Sequence, residues 1–265
     1  MRHFLSIYCW KIVLNQTLQI FLAAVLLVCF SPILLVCLLG VYLTDYSSPI
    51  YCAKRIGYNG KPFTMYKIRT MVVNQSGKTS LSTKDDDERI LTIGRWTRRF
   101  KIDEIAQFVN VLTGTMLLVG PRPLPEKDFK KLTNFELQAY KQKPGVTDFS
   151  SIFFNNEGSL LKAAKDPDAL YNTKIRPWKS RLVIFYMYNA SLKTDWFLIF
   201  MTGLSLFNRR VTINFLRAYV RRRNASDELL KLFDCETMFQ EVLPPQNLQC
   251  VFKTVSNSSH KVSTS

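Results

Sequence analysis

The sequence predicts a membrane-associated α+β protein, predominantly helical, with one small β-hairpin. Three observations lead there. No Asp, Glu, Lys or Arg occurs from Ile12 to Thr44, and Leu18–Leu43 is strongly apolar. Apolar residues recur at three- and four-residue spacing in Arg89–Leu112, and Arg176–Leu192 also reads as helix. Asn59-Gly60, a strong tight-turn signal, lies within Pro49–Met71, where a partly alternating run follows it. At 265 residues and 47% hydrophobic content, the chain can build a sizeable core. Its net charge of +16 is therefore not that of a disordered polycation.

The apolar segment comes first. Its roughly 26 residues make a helix of about 39 Å, against about 30 Å of hydrocarbon, so it can span with tilt. It is too long for a signal-peptide core, and no small-x-small cleavage site follows. Ser31-Pro32 interrupts it. Pro32 lacks the N–H that would bond the Val28 carbonyl, and the Ser31 hydroxyl can bond back to a freed carbonyl. Two topologies fit: a kinked helix that crosses the bilayer, or a helix–break–helix that dips in and returns. In the second, each half is only about 20 Å long. Arg2 and Lys11 precede the run, and Lys54, Arg55, Lys61, Lys67 and Arg69 follow it. Positive charge on both sides leans toward the re-entrant form and puts the main domain in the cytoplasm.

Pro49–Met71 is the expected hairpin. Asn74–Lys84 reads as a polar loop, and its Gly77-Lys78-Thr79 is not a phosphate loop, because Val72 stands where the first glycine belongs. Asp85–Glu88 is an acidic cluster, read as a solvated turn or helix start. Arg89–Leu112 reads as one helix that Gly114 can end. Gly120-Pro121-Arg122-Pro123 is stiff and extended. Pro144-Gly145 reads as a turn, and Leu160–Ala164 and Arg176–Leu192 as helices. Asp195–Phe207 is apolar but too short to span; an interfacial helix anchored by Trp196 and a buried core helix both fit. Asn208–Asn224 is Arg-rich, either a basic interfacial helix or a solvated charge run. Beyond Gln246 the polar tail is expected to be disordered.

Composition excludes several chemistries. The two histidines, His3 and His260, lie near the termini. That leaves no Ser-His-Asp triad and no His-ligated zinc. The six cysteines form no CxxC pair and read as reduced packing residues. The basic excess favours an anionic partner. Given the membrane segment, lipid head groups and a phosphorylated substrate outrank nucleic acid, for which no module is found.

Three pieces carry charge beside restricted backbone: Lys67-Ile68-Arg69, the RRFKIDE stretch from Arg98 to Glu104, and Gly120-Pro121-Arg122-Pro123. On a helix the adjacent Asp103 and Glu104 point about 100° apart. They cannot face one water as an acid/base pair, but they can divide labour between a substrate atom and a metal. An exposed pair in a first helical turn fits the same residues.

The surroundings decide between these readings. FSPILL, RIGYNGKPFTMYKIRTM, GRWTRRFKIDEIAQFVNVLTGTMLLVGPRPLPEKD, KPGVTDFSSI and YNASLKTDWFLIFMTGL occur in this order. Together they resemble the bacterial sugar transferases, the monotopic polyprenyl-phosphate phosphoglycosyl transferases, from about Lys11 to Phe207. The resemblance implies an enzyme that moves a sugar-phosphate from a UDP-sugar to polyprenyl phosphate, releasing UMP. It implies that Asp103 is the nucleophile and that Glu104 helps hold Mg²⁺. Arg98 and Arg122 match active-site arginines that bond phosphate oxygens, and Lys67 and Arg69 are further candidates for the head-group region. Gly120 would admit a close backbone approach. Ser31 and Pro32 match the break of a re-entrant anchor.

The expected organisation is an anchor over 1–45, a catalytic domain over 46–207 and a basic extension with a polar tail over 208–265. With no extra N-terminal domain in the sequence, the chain reads as the family's minimal form. It is expected at the bacterial inner membrane, facing the cytoplasm, with membrane lipids, a UDP-sugar and polyprenyl phosphate as partners. A homodimer is compatible with this picture. Two positions depart from the family pattern: Thr115 stands where Asp is common, and Asn155 where an arginine is usual. They give weight to a rival reading, a non-catalytic basic membrane scaffold.

Overall fold

The computed structural model describes residues 2–73, 87–162, 164–233 and 243–253, with side chains described from residue 15 onward. The whole polar loop Asn74–Lys84, with its Gly77-Lys78-Thr79, and Asp85 and Asp86 of the acidic cluster lie outside these residues.

The chain opens with one long helix, α1 (Arg2–Asp45), and helical structure continues through Pro32. The Ser31 hydroxyl donates to the Val28 carbonyl at 2.7 Å, meeting the acceptor that Pro32 leaves without its usual partner. From Asn15 to Asp45 the helix is long and apolar enough to cross a membrane. Among the described side chains it packs on the rest of the chain on both sides of Pro32. Gln19 and Ala23 are buried on one side of Pro32, Cys37 and Val41 on the other. Val28, Phe30, Ile33, Leu35 and Val36 between them are exposed.

The hairpin follows as expected: β1 (Ile50–Ile56) pairs antiparallel with β2 (Pro62–Ile68), in a register running from Ile50 opposite Ile68 to Ile56 opposite Pro62. Asn59 and Gly60 both take positive φ, 54° and 71°, which this dipeptide tolerates best. Ala53 and Met65, opposite each other, are buried on one face in the main core, and Ile68 is buried on the other against α1.

The single helix expected over Arg89–Leu112 is not formed. It is split into α2 (Thr92–Arg99) and α3 (Gln107–Leu112) by Lys101 in the left-handed region, φ 54°, followed by a 3₁₀ turn over Ile102–Glu104. Apolar spacing alone cannot reveal this, because a single left-handed residue re-aims the helix without disturbing the pattern. Gly114, φ 71°, follows the end of α3 as expected.

Strand β3 (Leu117–Val119) pairs in parallel with β4 (Gly145–Thr147). Pro144-Gly145, expected as a turn, thus opens a strand. Between them lie α4 (Glu126–Phe129) and α5 (Asn134–Leu137), and α6 (Phe149–Phe153), α7 (Glu157–Lys162) and α8 (Pro167–Leu170) come next. A π-helical turn, Tyr171–Ile175, leads into α9 (Arg176–Asn189). Then come α10 (Leu192–Phe207), α11 (Arg209–Arg222) and α12 (Asp227–Lys231).

Helix α9 is central, burying Trp178, Leu182, Ile184 and Phe185 against Phe149, Ile152, Leu198 and Met201. Leu216 and Val220 of α11, Leu229 of α12 and Val251 belong to this same core. The disorder expected beyond Gln246 is overturned for residues 247–253: Val251 is fully buried and Phe252 stacks on Phe185 at 5.4 Å. Helix α10 has one buried face and one exposed face. Leu198, Met201 and Ser205 are buried, while Trp196, Phe200 and Phe207 stand exposed.

Candidate active site

The split of the expected helix builds the site. The 3₁₀ turn after Lys101 projects both Asp103 and Glu104 toward the end of β2. There the Lys67 ammonium lies 2.9 Å from Glu104 Oε1 and 3.7 Å from Asp103 Oδ2. The geometry differs from that of an ideal helix: two adjacent carboxylates converge on one cation. Arg122 Nη2 donates to Glu104 Oε1 at 2.5 Å.

Backbone pairing fixes Arg122. Gly145 N donates to the Pro121 carbonyl, Gly120 N to Thr147, and Ile56 N to Leu124, so the Gly120–Leu124 segment is held between β4 and β1. Tyr140 OH reaches the Arg122 carbonyl at 3.4 Å. Gly120 permits a close backbone approach, as expected. A Cβ there would sit 2.6 Å from the Lys143 carbonyl, so the close approach it permits is to the chain's own backbone.

Arg98, at the end of α2, donates from Nε to Thr70 Oγ1 at 2.8 Å, and its charge favours the ionised form of Asp103. Arg69 does not join the site. Its guanidinium forks onto Asp45 at the end of α1, with both contacts at 2.6 Å, and its Nε donates to the Ser48 carbonyl. A buried arginine with a bidentate carboxylate partner is a fastening, and no local residue pattern marks Asp45 as the partner.

The carboxylates differ electrostatically. Burial pushes the Asp103 carboxyl above its ordinary pKa, Lys67 opposing and the Glu104 charge adding to the rise. Burial acts the same way on Glu104, but Arg122, Lys67 and Lys101 together overturn it and hold that carboxyl well below its ordinary value. Burial lowers the pKa of Lys101. Asp103 is thus the more basic anion and Glu104 the fixed one.

The pair suits a divalent ion. The Lys67 ammonium already stands where one positive charge is shared by two carboxylates. Among the described residues no group of three or more His, Cys, Asp or Glu gathers as a metal cage. A divalent ion held mainly through substrate phosphates and water needs no more than one or two carboxylates.

Lys101, Thr70 and Tyr140 were not singled out from sequence. Nothing in residue type signals Lys101, since a lysine carries no preference for positive φ. The two departures from the family pattern have structural work. Thr115 Oγ1 accepts from Asn110 Nδ2 at 3.2 Å, while Asn110 also bonds the backbone of Thr64 and Tyr66 on β2. Asn155 Oδ1 accepts from Arg209 Nε at 3.0 Å, and Arg209 also reaches the Phe153 carbonyl and Asn156.

The site is a buried carboxylate pair ringed by cations, in a chain whose first helix is long and apolar enough to cross a membrane. The family model for bacterial sugar transferases matches residues 10–209, and the chain belongs to that family. It is 34% identical over 188 residues to the UDP-glucose:undecaprenyl-phosphate glucose-1-phosphate transferase of Caulobacter vibrioides, covering 68% of this chain and 70% of that protein. It is 34% identical over 142 residues to the protein of the same name from Escherichia coli, covering 52% of this chain and 31% of the relative. It is 36% identical over 141 residues to the uncharacterized sugar transferase EpsL of Bacillus subtilis, covering 53% and 69%. The chain thus spans less than a third of the length of the E. coli protein.

Proposed function

We propose that the protein transfers a sugar-1-phosphate from a UDP-sugar to polyprenyl (undecaprenyl) phosphate, giving polyprenyl-diphosphate-sugar and UMP. The reaction is the first membrane step in assembling a glycoconjugate: a polysaccharide, glycoprotein or lipopolysaccharide. The observation that carries this reading is the asymmetric pair: Asp103, raised in basicity, beside Glu104, fixed by Lys67 and Arg122, in a chain of this family.

An Asp103 carboxylate oxygen attacks the phosphorus that bears the sugar. The bond from that phosphorus to the bridging oxygen breaks, and UMP leaves with the electron pair. An oxygen of polyprenyl phosphate then attacks the same phosphorus and releases the Asp103 carboxylate. This splits one difficult transfer into two easier ones. Arg122 and Arg98 offer charge-assisted hydrogen bonds to phosphate oxygens, offsetting the repulsion between a carboxylate and a diphosphate. Glu104, with Asp103 beside it, would hold Mg²⁺. When bound, the ion supplies positive charge at the diphosphate oxygens.

The anchor is read as re-entrant, with the domain on the cytoplasmic face of the inner membrane. Contacts of α1 on both sides of Pro32, with the stretch between them exposed, support this. So does the double fastening of Gln19 to Asp195 and of Asp45 to Arg69. A soluble UDP-sugar and a lipid phosphate can both reach a site so placed.

The test is UMP release by nanodisc-held protein with polyprenyl phosphate, Mg²⁺ and a panel of UDP-sugars, with Asp103→Asn alongside. Release with one sugar, abolished in the variant, is the expected result and names the donor. Lipid-linked product from the variant would overturn the nucleophile. No release with any sugar from folded protein, beside a working relative, would favour the scaffold reading.

A further inference from the structure

The α10–α11 hairpin carries a feature the reaction does not use. On α10, Trp196, Phe200, Gly203 and Phe207 recur at i, i+4, i+7 and i+11 and so form one stripe. It faces away from the buried Leu198, Met201 and Ser205. Phe207 is 89% exposed and Phe200 66%. On α11, Val211, Phe215 and Ala218 form a second exposed stripe, and Phe215 is 52% exposed. The two helices are joined through Asn208, and Phe197 of one stacks on Tyr219 of the other at 4.4 Å. Alongside the α11 stripe runs a row of exposed arginines, Arg210, Arg217 and Arg221, and the helix contains no acidic residue.

We propose that this hairpin lies on the bilayer, its aromatic stripes at the acyl boundary and its arginines among anionic phospholipid head groups, as a second membrane contact besides α1. Charge and continuity argue for it. An apolar row flanked by arginines is the pattern of an interfacial helix, and each arginine near an anionic leaflet gains electrostatic attraction. Continuity comes from Asp195, which accepts from Asn15 at 2.6 Å and Gln19 at 2.9 Å. These two residues lie where α1 passes into its apolar run, so the first turn of α10 sits at the level where α1 meets the bilayer. Trp196, the next residue, is then at the interface, where tryptophan is favoured. Helix α10 lies within the residues matched by the family model, whereas α11 lies beyond them from Arg210 onward.

The full chain would carry the photo-crosslinker p-benzoylphenylalanine in place of Phe215, or separately Phe207, in nanodiscs containing phosphatidylglycerol. Both positions are exposed, so a larger aromatic ring leaves the core untouched. Replacement of the exposed Glu126 serves as the water-facing control. Lipid adducts at 215 and 207 and none at 126, detected by mass, are expected. The yield at 215 should fall several-fold with Arg217→Gln/Arg221→Gln, or in discs of phosphatidylcholine alone. A crosslinked dimer would instead assign the face to a second copy of the chain. Absence of adduct at both positions would leave it in water, and either result overturns the proposal. A yield at 215 indifferent to lipid charge would overturn the anionic preference.

Discussion

Lys67 and Arg122 share one acceptor: Lys67 Nζ at 2.9 Å and Arg122 Nη2 at 2.5 Å both bond Glu104 Oε1. One residue comes from the hairpin and the other from the segment after β3, so this oxygen ties the two halves of the site together. Among the described residues, Asp103 has only the longer ion-pair contact, 3.7 Å to the same ammonium.

Asp103→Asn should abolish turnover without harming the fold. Because burial raises the folded-state pKa of Asp103 above its unfolded value, ionisation at neutral pH costs the native state stability, and that cost fades as pH falls. The neutral amide removes it. UMP release should drop by about 10³-fold or more, while the melting temperature at pH 7 stays equal or rises. A clear drop in melting temperature would show that the aspartate is structural.

Glu104→Gln should behave in the opposite sense. The depressed pKa of Glu104 contributes stability that is present above its unfolded value and lost as pH falls through the folded one. The variant leaves Lys67 and Arg122 facing each other without the shared anion. A loss of about 1–2 kcal/mol at pH 7 is expected, with Arg122 partly exposed to solvent screening. The gap from the parent protein should narrow below about pH 4. Denaturant melts at two pH values check this, and activity should fall severely. Near-parental activity with unchanged Mg²⁺ dependence would remove the metal role.

The pH–rate profile should carry an acid limb above the ordinary aspartate range, since the attacking Asp103 must be ionised and burial resists that. Lys67 favours the ionised form, so Lys67→Gln should move this limb to higher pH. An unmoved limb in kcat/KM would assign it to another group.

Gly94→Ala should disturb the site from a distance. A Cβ at Gly94 would sit 2.3 Å from the Thr70 carbonyl, a backbone atom that cannot swing away. Helix α2 must then back off from Thr70, carrying Arg98 with it. A loss of about 1–3 kcal/mol is expected, together with a raised KM for the UDP-sugar. An unchanged KM would detach Arg98 from substrate binding.

Much of this was legible in the sequence, for identifiable reasons. Asn59-Gly60 specified its hairpin because few dipeptides accept two positive φ values in succession. Ser31-Pro32 foretold its own repair, since the missing donor and the nearby hydroxyl are both local. Asp103, Glu104 and Arg122 came from the resemblance, and the structure brings them together. What stayed hidden depended on distant partners. Arg69 turns to Asp45, Gly120 meets Gly145, and Val251 completes the core, none of them marked by neighbouring residues. The left-handed Lys101 was hidden because its strain is upheld by the surrounding fold.

The bond between Gln19 and Asp195 spans 176 positions of chain. At roughly 5–20 residues per second of synthesis, the ribosome makes the anchor about 10–35 s before the aspartate that fastens it. For that interval the N-terminal helix must persist without its polar partner. The first helix is therefore made first and fastened last, and the fold is complete only when the final helices emerge.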